Sequence, residues 1–221
     1  RLGGLQLQDP QLPAPWQADS AQLRCRDDQI SLDPMRWSMA NWRGSAAGSL
    51  VPGRSFALTG GAEDPRRGDR LQLQVQGPWL QPSVQLTGRV PLGKGTPTSP
   101  APLALSADLQ VDRRRSLAVD LRRLQLTSGR SQLVADGALW PRLAVRSRSG
   151  SLHPSLWSAA PWLGSLLGRQ EPLSLELESS GTLLAPRLQG SLARQGRPLL
   201  NLDLLARAAS ARAGGRPAVP N

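Results

Sequence analysis

The sequence has no tyrosine, one phenylalanine (Phe56), one histidine (His153), one cysteine (Cys25) and one lysine (Lys94) in 221 residues. Each scarcity removes a class of chemistry. A lone cysteine forms no intramolecular disulfide and no cysteine metal site. A lone histidine supplies no histidine pair for a metal, and its place before Pro154 suits a surface or capping role. No apolar stretch is long enough to span a bilayer. The chain starts at Arg1 and carries no signal peptide, so a targeting signal or anchor is expected outside it.

Catalytic patterns are also missing. No Gly-x-Ser-x-Gly elbow joins a strand to a helix, and Gly93-Lys94-Gly95 lacks the spacing of a phosphate-binding loop. Asp27-Asp28 falls in a turn, and Glu176 and Glu178 alternate on a wet strand face. The sequence therefore reads as a non-enzyme without metal or cofactor, since a catalytic site needs convergent titratable groups.

What the chain does have is arginine, glycine and proline. The net charge is +11, and all but one of its 27 basic residues are arginine. Such a balance attracts polyanions or anionic lipid. The arginines are scattered, however, and the tryptophans do not interleave with them, whereas single-stranded nucleic acid is bound by aromatic and basic residues sharing a face. A nucleic-acid module would need a contiguous arginine face, and no nucleic-acid partner is expected. Glycine (22) and proline (20) form about a fifth of the chain, which suits many short strands joined by turns.

Period-two alternation is the dominant signal. Leu71, Leu73 and Val75 alternate with Gln72, Gln74 and Gln76. Leu103, Leu105, Ala107, Leu109 and Val111 alternate with Ala104, Ser106, Asp108 and Gln110. Leu117, Val119 and Leu121 continue the pattern, as do Leu133, Ala135, Gly137 and Leu139. Leu173, Leu175 and Leu177 oppose Ser174, Glu176 and Glu178; Leu200, Leu202 and Leu204 oppose Asn201 and Asp203. Each segment is a strand with one dry and one wet face. The alternation slips between Leu121 and Leu124, and a β-bulge at Arg122-Arg123 would restore register. Turn residues at 64–69, 93–97 and 195–198 separate the runs.

The expected fold is all-β: an elongated antiparallel meander of about ten strands, spanning roughly 50 Å at ~4.8 Å per strand. Residues 1–61 form a less regular β-rich part, with short strands at Leu5-Leu7, Leu23-Cys25, Ile30-Leu32 and Phe56-Leu58. Residues 62–152 and 169–205 carry the main strands, an amphipathic helix occupies 153–168, and 206–221 form a disordered tail. The helix either lines the sheet or caps its end, with capping favoured.

A repeated phrase adds to this reading. Gly181-Thr182-Leu183-Leu184-Ala185-Pro186-Arg187-Leu188-Gln189-Gly190-Ser191-Leu192 is one copy. Gly77-Pro78-Trp79-Leu80-Gln81-Pro82-Ser83-Val84-Gln85-Leu86-Thr87-Gly88-Arg89-Val90 is a looser one, and Gly137 to Leu143 a shortened echo. Glycine ends a strand, proline stiffens the connection, and the next strand starts at once. With the alternating strand before it, the phrase resembles the repeat of the TamB family of envelope proteins, relatives of the AsmA-like group. Ile30 to Pro34, Trp37, Gly48 to Leu50 and Phe56 to Leu58 resemble the repeat of cyanobacterial and chloroplast-envelope members. The resemblance covers most of residues 20–205.

That resemblance implies a curled β-tape with an open apolar groove, part of a bridge anchored at the inner membrane and reaching the outer one. It further implies a periplasmic location, a role in phospholipid movement and outer-membrane assembly, and an Omp85-type β-barrel partner. This sequence lacks the family's membrane anchor and its partner-binding domain, and so resembles an internal segment. The expected groove lining is Leu71, Leu73, Val75, Val84, Leu86, Leu105, Leu109, Val111, Leu117, Val119, Leu121, Leu133, Leu139, Leu173, Leu175, Leu177, Leu188, Leu192, Leu202 and Leu204. Its occupants would be phospholipid acyl chains, each methylene contributing ~0.8 kcal/mol on burial, with arginines at the strand ends meeting headgroup phosphates. The same alternation also fits a closed β-sandwich or barrel, or a scaffold that binds proteins by β-strand addition.

Overall fold

The computed structural model describes residues 2–7, 15–92, 101–114, 116–156, 171–182 and 185–205. They form one antiparallel sheet of fifteen strands. In chain order these are β1 (Leu2–Leu7), β2 (Trp16–Ala21), β3 (Leu23–Arg26), β4 (Gln29–Met39), β5 (Trp42–Val51), β6 (Ser55–Asp64), β7 (Asp69–Pro78) and β8 (Ser83–Val90). There follow β9 (Leu103–Asp112), β10 (Ala118–Ser128), β11 (Ser131–Trp140), β12 (Leu143–Leu152), β13 (Leu173–Thr182), β14 (Ala185–Arg194) and β15 (Arg197–Leu205).

Every strand pairs with its neighbour in the sequence, except that β2 and β3 lie end to end along β4. The break between them faces Asp33-Pro34, where the Asp33 N–H donates to the Gln22 carbonyl at 3.0 Å. Proline has no N–H to give a ladder, so it sits at this irregularity. The other fourteen strands form an unbroken path, roughly 62 Å long at ~4.8 Å per strand. The tape is thus longer than the ten strands expected.

Strand-to-strand packing follows this sequential order, and no second sheet lies across the first among the described residues. A closed sandwich is not what these residues form. Burial agrees: the fully buried apolar residues are Ala18, Ala21, Ala107, Leu121, Ala135, Leu143, Leu173 and Leu192, half of them alanines. Among the described residues only Leu173 and Leu192 join in a buried cluster, flanked by Leu152, Leu156 and Leu175.

Residues 29–61, within the part expected to be less regular, lie in the long strands β4, β5 and β6. Their alternation is masked because Gly44, Ala46 and Gly48 occupy the apolar face of β5. A Cβ on Gly44 would collide with the Trp37 ring, and one on Gly48 with the Ala57 carbonyl and Leu58. Large neighbours lie across these glycines and supply the missing apolar surface. The expected helix is, in its described part, a single 3-10 turn at Pro154–Leu156, with 157–168 outside the described residues. The tail at 206–221 also lies outside them.

Successive turns alternate between the two long margins of the tape. Turns after β4, β6, β8, β10, β12 and β14 lie on the first rim; those after β3, β5, β7, β9, β11 and β13 lie on the second. All three copies of the repeated phrase fall on the second rim, with a fourth at Gly48 to Phe56. Each begins with a strand glycine at positive φ: Gly48 (155°), Gly77 (114°), Gly137 (141°) and Gly181 (99°). A Cβ on Gly137 would strike the Ala144 carbonyl, and one on Gly181 would approach the Ala185 carbonyl to 2.7 Å. At Gly48, Gly137 and Gly181 the motif is therefore a hairpin device in which the backbone of the next strand occupies the space of the glycine side chain, whereas at Gly77 the positive φ alone favours glycine.

Candidate functional site

Paired residues of an antiparallel sheet point to the same side. One row of such pairs runs Leu32, Gly48, Leu58, Val75, Val84, Leu109 and Leu121. A second runs Met35, Ala46, Gly60, Leu73, Leu86, Ala107, Leu124 and Ala135. A third runs Trp37, Gly44, Ala62, Leu71, Gly88, Leu105, Leu126, Leu133 and Gly150. Val111 pairs with Val119 beside them. The face continues through Leu152 and Leu173, then through the rows Leu175, Leu192, Leu200 and Leu177, Gly190, Leu202, and finally Leu188 and Leu204. From β4 to β15 this side is almost wholly apolar.

Two irregularities keep it so. In β10 the register shifts between Leu121 and Leu124, and Arg122-Arg123 form the extra step. The bulge expected from the sequence is present, and it returns Leu124 and Leu126 to the dry side. In β12 the register shifts between the Val134 and Ala135 pairings, which places Ser147 on the dry side opposite Ala135. The Ser147 hydroxyl accepts the Leu177 N–H at 2.7 Å, restoring a hydrogen bond that the irregular ladder lacks.

Eighteen of the twenty nominated residues lie within these rows. Leu117 does not: β10 starts at Ala118, and Leu117 is 52% exposed in the preceding loop. Its parity matches Val119 and Leu121, but the pairing ends before it. Leu139 lies at the register shift where Trp140, not Leu139, pairs with Val119. Sequence reading missed the dry-face residues of β4 to β6, among them Ile30, Leu32, Met35, Trp37, Leu50, Phe56 and Leu58. It also left out Leu124, Leu126, Leu143, Val145 and Leu152, which alternation taken across both bulges would have included.

Over most of its length the face is half-covered, among the described residues, by lateral neighbours alone. Leu73 remains 43% exposed in mid-sheet. Near the first rim, Leu156 packs against the Leu173–Leu192 cluster, as Leu152 and Leu175 do, so the 3-10 turn covers one corner. His153 caps that turn. Its carbonyl accepts the Leu156 N–H at 3.0 Å, its ring Nδ1 meets the Ser155 hydroxyl at 3.2 Å, and its own N–H donates to Ser131 Oγ at 2.8 Å. Near the second rim, Trp79 stacks on Phe56 with centroids 4.7 Å apart and planes 7° from parallel.

The opposite face is wet and ionic. Arg148 grips Asp136 in a two-point pair at 2.6 and 2.7 Å, and Arg187 grips Asp203 likewise at 2.9 and 2.5 Å. Hydrogen bonds from these guanidinium groups hold both carboxyls below the usual carboxylate range. Three shallow concavities lie on this side. One of about 490 Å³ is lined mainly by Ser45, Thr59, Gln72, Gln74, Gln85 and Thr87. The others gather Arg146, Arg148, Glu176 and Glu178, and Arg36, Arg43, Glu63 and Arg70. Among the described residues no three or more His, Cys, Asp or Glu side chains are grouped to hold a metal ion. No family model, no curated protein and no solved structure matches the chain.

Proposed function

We propose that this chain is a segment of a TamB-like bridge of the cell envelope, carrying phospholipid by its acyl chains along the apolar face. The observation that carries the reading is a continuous dry face from β4 to β15 with, among the described residues, no protein layer over it beyond the corner under Leu156. A one-sided apolar sheet must cover that face with something, and acyl chains would do so without any headgroup site. Curling of the tape around them would form an open groove. Movement along such a surface requires no catalytic group. The repeated second-rim phrase, with its resemblance to the TamB repeat, supports a periplasmic setting and an Omp85-type barrel partner engaged by other parts of the bridge.

The test is native mass spectrometry with lipid extraction on protein purified gently from a bacterial envelope fraction. Phospholipid should co-purify, and Leu73→Asp/Leu109→Asp/Leu175→Asp should lose it while the β-rich circular dichroism persists. A stable protein free of lipid would sink the proposal. A second reading is a scaffold that binds proteins by strand addition. It rests on β15, an edge strand exposing Leu199, Leu200, Leu204 and Leu205.

A further inference from the structure

Among the described residues, the two rims differ in chemistry. On the first, the described turn residues include Ala40 and Asn41, Pro65 to Gly68, Gly129 and Arg130, and Gln195 and Gly196. None of these is a large exposed apolar residue. On the second rim, three consecutive turns present Leu80 at 46%, Leu117 at 52% and Trp140 at 43% exposure. These turns are joined. The Arg113 N–H donates to the Leu80 carbonyl at 2.8 Å, tying the β9–β10 turn to the β7–β8 turn. Val119, two residues beyond Leu117, pairs with Trp140.

Arginines are set among these apolar tips. Arg113 lies 5.1 Å over the Trp79 ring, and Arg142 is exposed beside Trp140. Of the two carboxylates nearest these turns, Asp112 is paired with Arg114 at 2.6 Å, and Asp120 is exposed in β10. The patch thus presents exposed apolar tips among cations, with the carboxylate adjoining Arg113 paired. Tryptophan favours the boundary between headgroups and acyl chains, leucine favours the acyl region beneath it, and arginine is drawn to anionic lipid. We infer that this stretch of the second rim, from β7 to β12, is a docking edge for an anionic phospholipid bilayer surface. This does not depend on the apolar face carrying lipid.

Co-sedimentation of the full chain tests it, using vesicles of phosphatidylcholine alone and with one third phosphatidylglycerol. Binding should require the anionic lipid and fall with salt. Arg113→Gln/Arg142→Gln should weaken it about 25-fold, at about fivefold per arginine. Leu80→Ser/Leu117→Ser/Trp140→Ser should weaken it too, and because these side chains are exposed the fold should survive, as circular dichroism checks. Arg66→Gln/Arg130→Gln removes the same charge from the first rim and should leave binding within about twofold. An equal loss in that control would overturn the inference in favour of net charge alone. Loss of vesicle binding in Leu73→Asp/Leu109→Asp/Leu175→Asp would overturn it in favour of the apolar face. Wild-type indifference to anionic lipid would overturn it outright.

Discussion

Leu173 is the most buried large side chain of the described residues, at 1% exposure, yet its surroundings are local: Leu192, with Leu152, Leu156 and Leu175. Truncating a buried leucine costs about 2–5 kcal/mol, depending on how far the site can collapse. Here one wall is a short turn at a sheet margin, which can close in, so Leu173→Ala should cost about 2.5 kcal/mol. How that cost is distributed is the sharper expectation. In a tape whose strands touch only their neighbours, stability is nearly a sum of adjacent interfaces. Amides of β12, β13 and β14 should therefore exchange about 70-fold faster, in proportion to that local loss. Amides of β6, seven strands and roughly 34 Å away at ~4.8 Å each, should be unchanged. Hydrogen exchange read by mass spectrometry resolves the two regions. Equal acceleration in β6 and β13 would refute the reasoning, because it would require one cooperative core in place of a chain of interfaces.

Other expectations are simpler to check. Gly137→Ala should destabilise by about 3 kcal/mol or more in denaturant titration, because it combines a φ of 141° with a Cβ aimed at the Ala144 carbonyl. Gly53→Ala, with φ 73° and nothing within 4 Å, should cost only about 1 kcal/mol. Hydrogen bonds from the Arg114 side chain and backbone hold the Asp112 carboxyl down at about 2. The folded state then binds fewer protons than the unfolded state. Whatever stability the Asp112 pairing adds is complete above about pH 4 and lost as pH falls towards 2. Arg114→Gln should raise the Asp112 titration midpoint towards the ordinary carboxylate value, measured by carbon-detected NMR.

The strands with large aliphatics on every dry position, such as Leu71 to Val75 and Leu173 to Leu177, were legible because one residue in two carries the signal. The bulge at Arg122-Arg123 was legible for the same reason, since leucines on both sides fix the phase that must be restored. In β5 the signal fails, because Gly44 and Gly48 have no side chain and the apolar surface above them belongs to Trp37 and Leu58. Alternation within a strand cannot report a covering supplied from the next strand. Leu117 failed in the opposite way, keeping the correct parity beyond the point where pairing stops. The meaning of the repeated glycine needed the hairpin geometry, since only the facing carbonyl of Ala144 or Ala185 explains why a side chain is excluded there. The docking edge on the second rim was not legible, because its residues come from three turns far apart in sequence.

The order of the strands has an evolutionary corollary. Because every connection from β4 onward joins adjacent antiparallel strands, excising or duplicating one hairpin returns the chain to the margin it left, running in the same direction. Both faces and both margins keep their character, while the span changes by about 10 Å. Loss of a single strand would instead exchange the two margins for everything downstream. Lineages of such a molecule should therefore differ in length by whole hairpins, the way a ruler is recut at its marks.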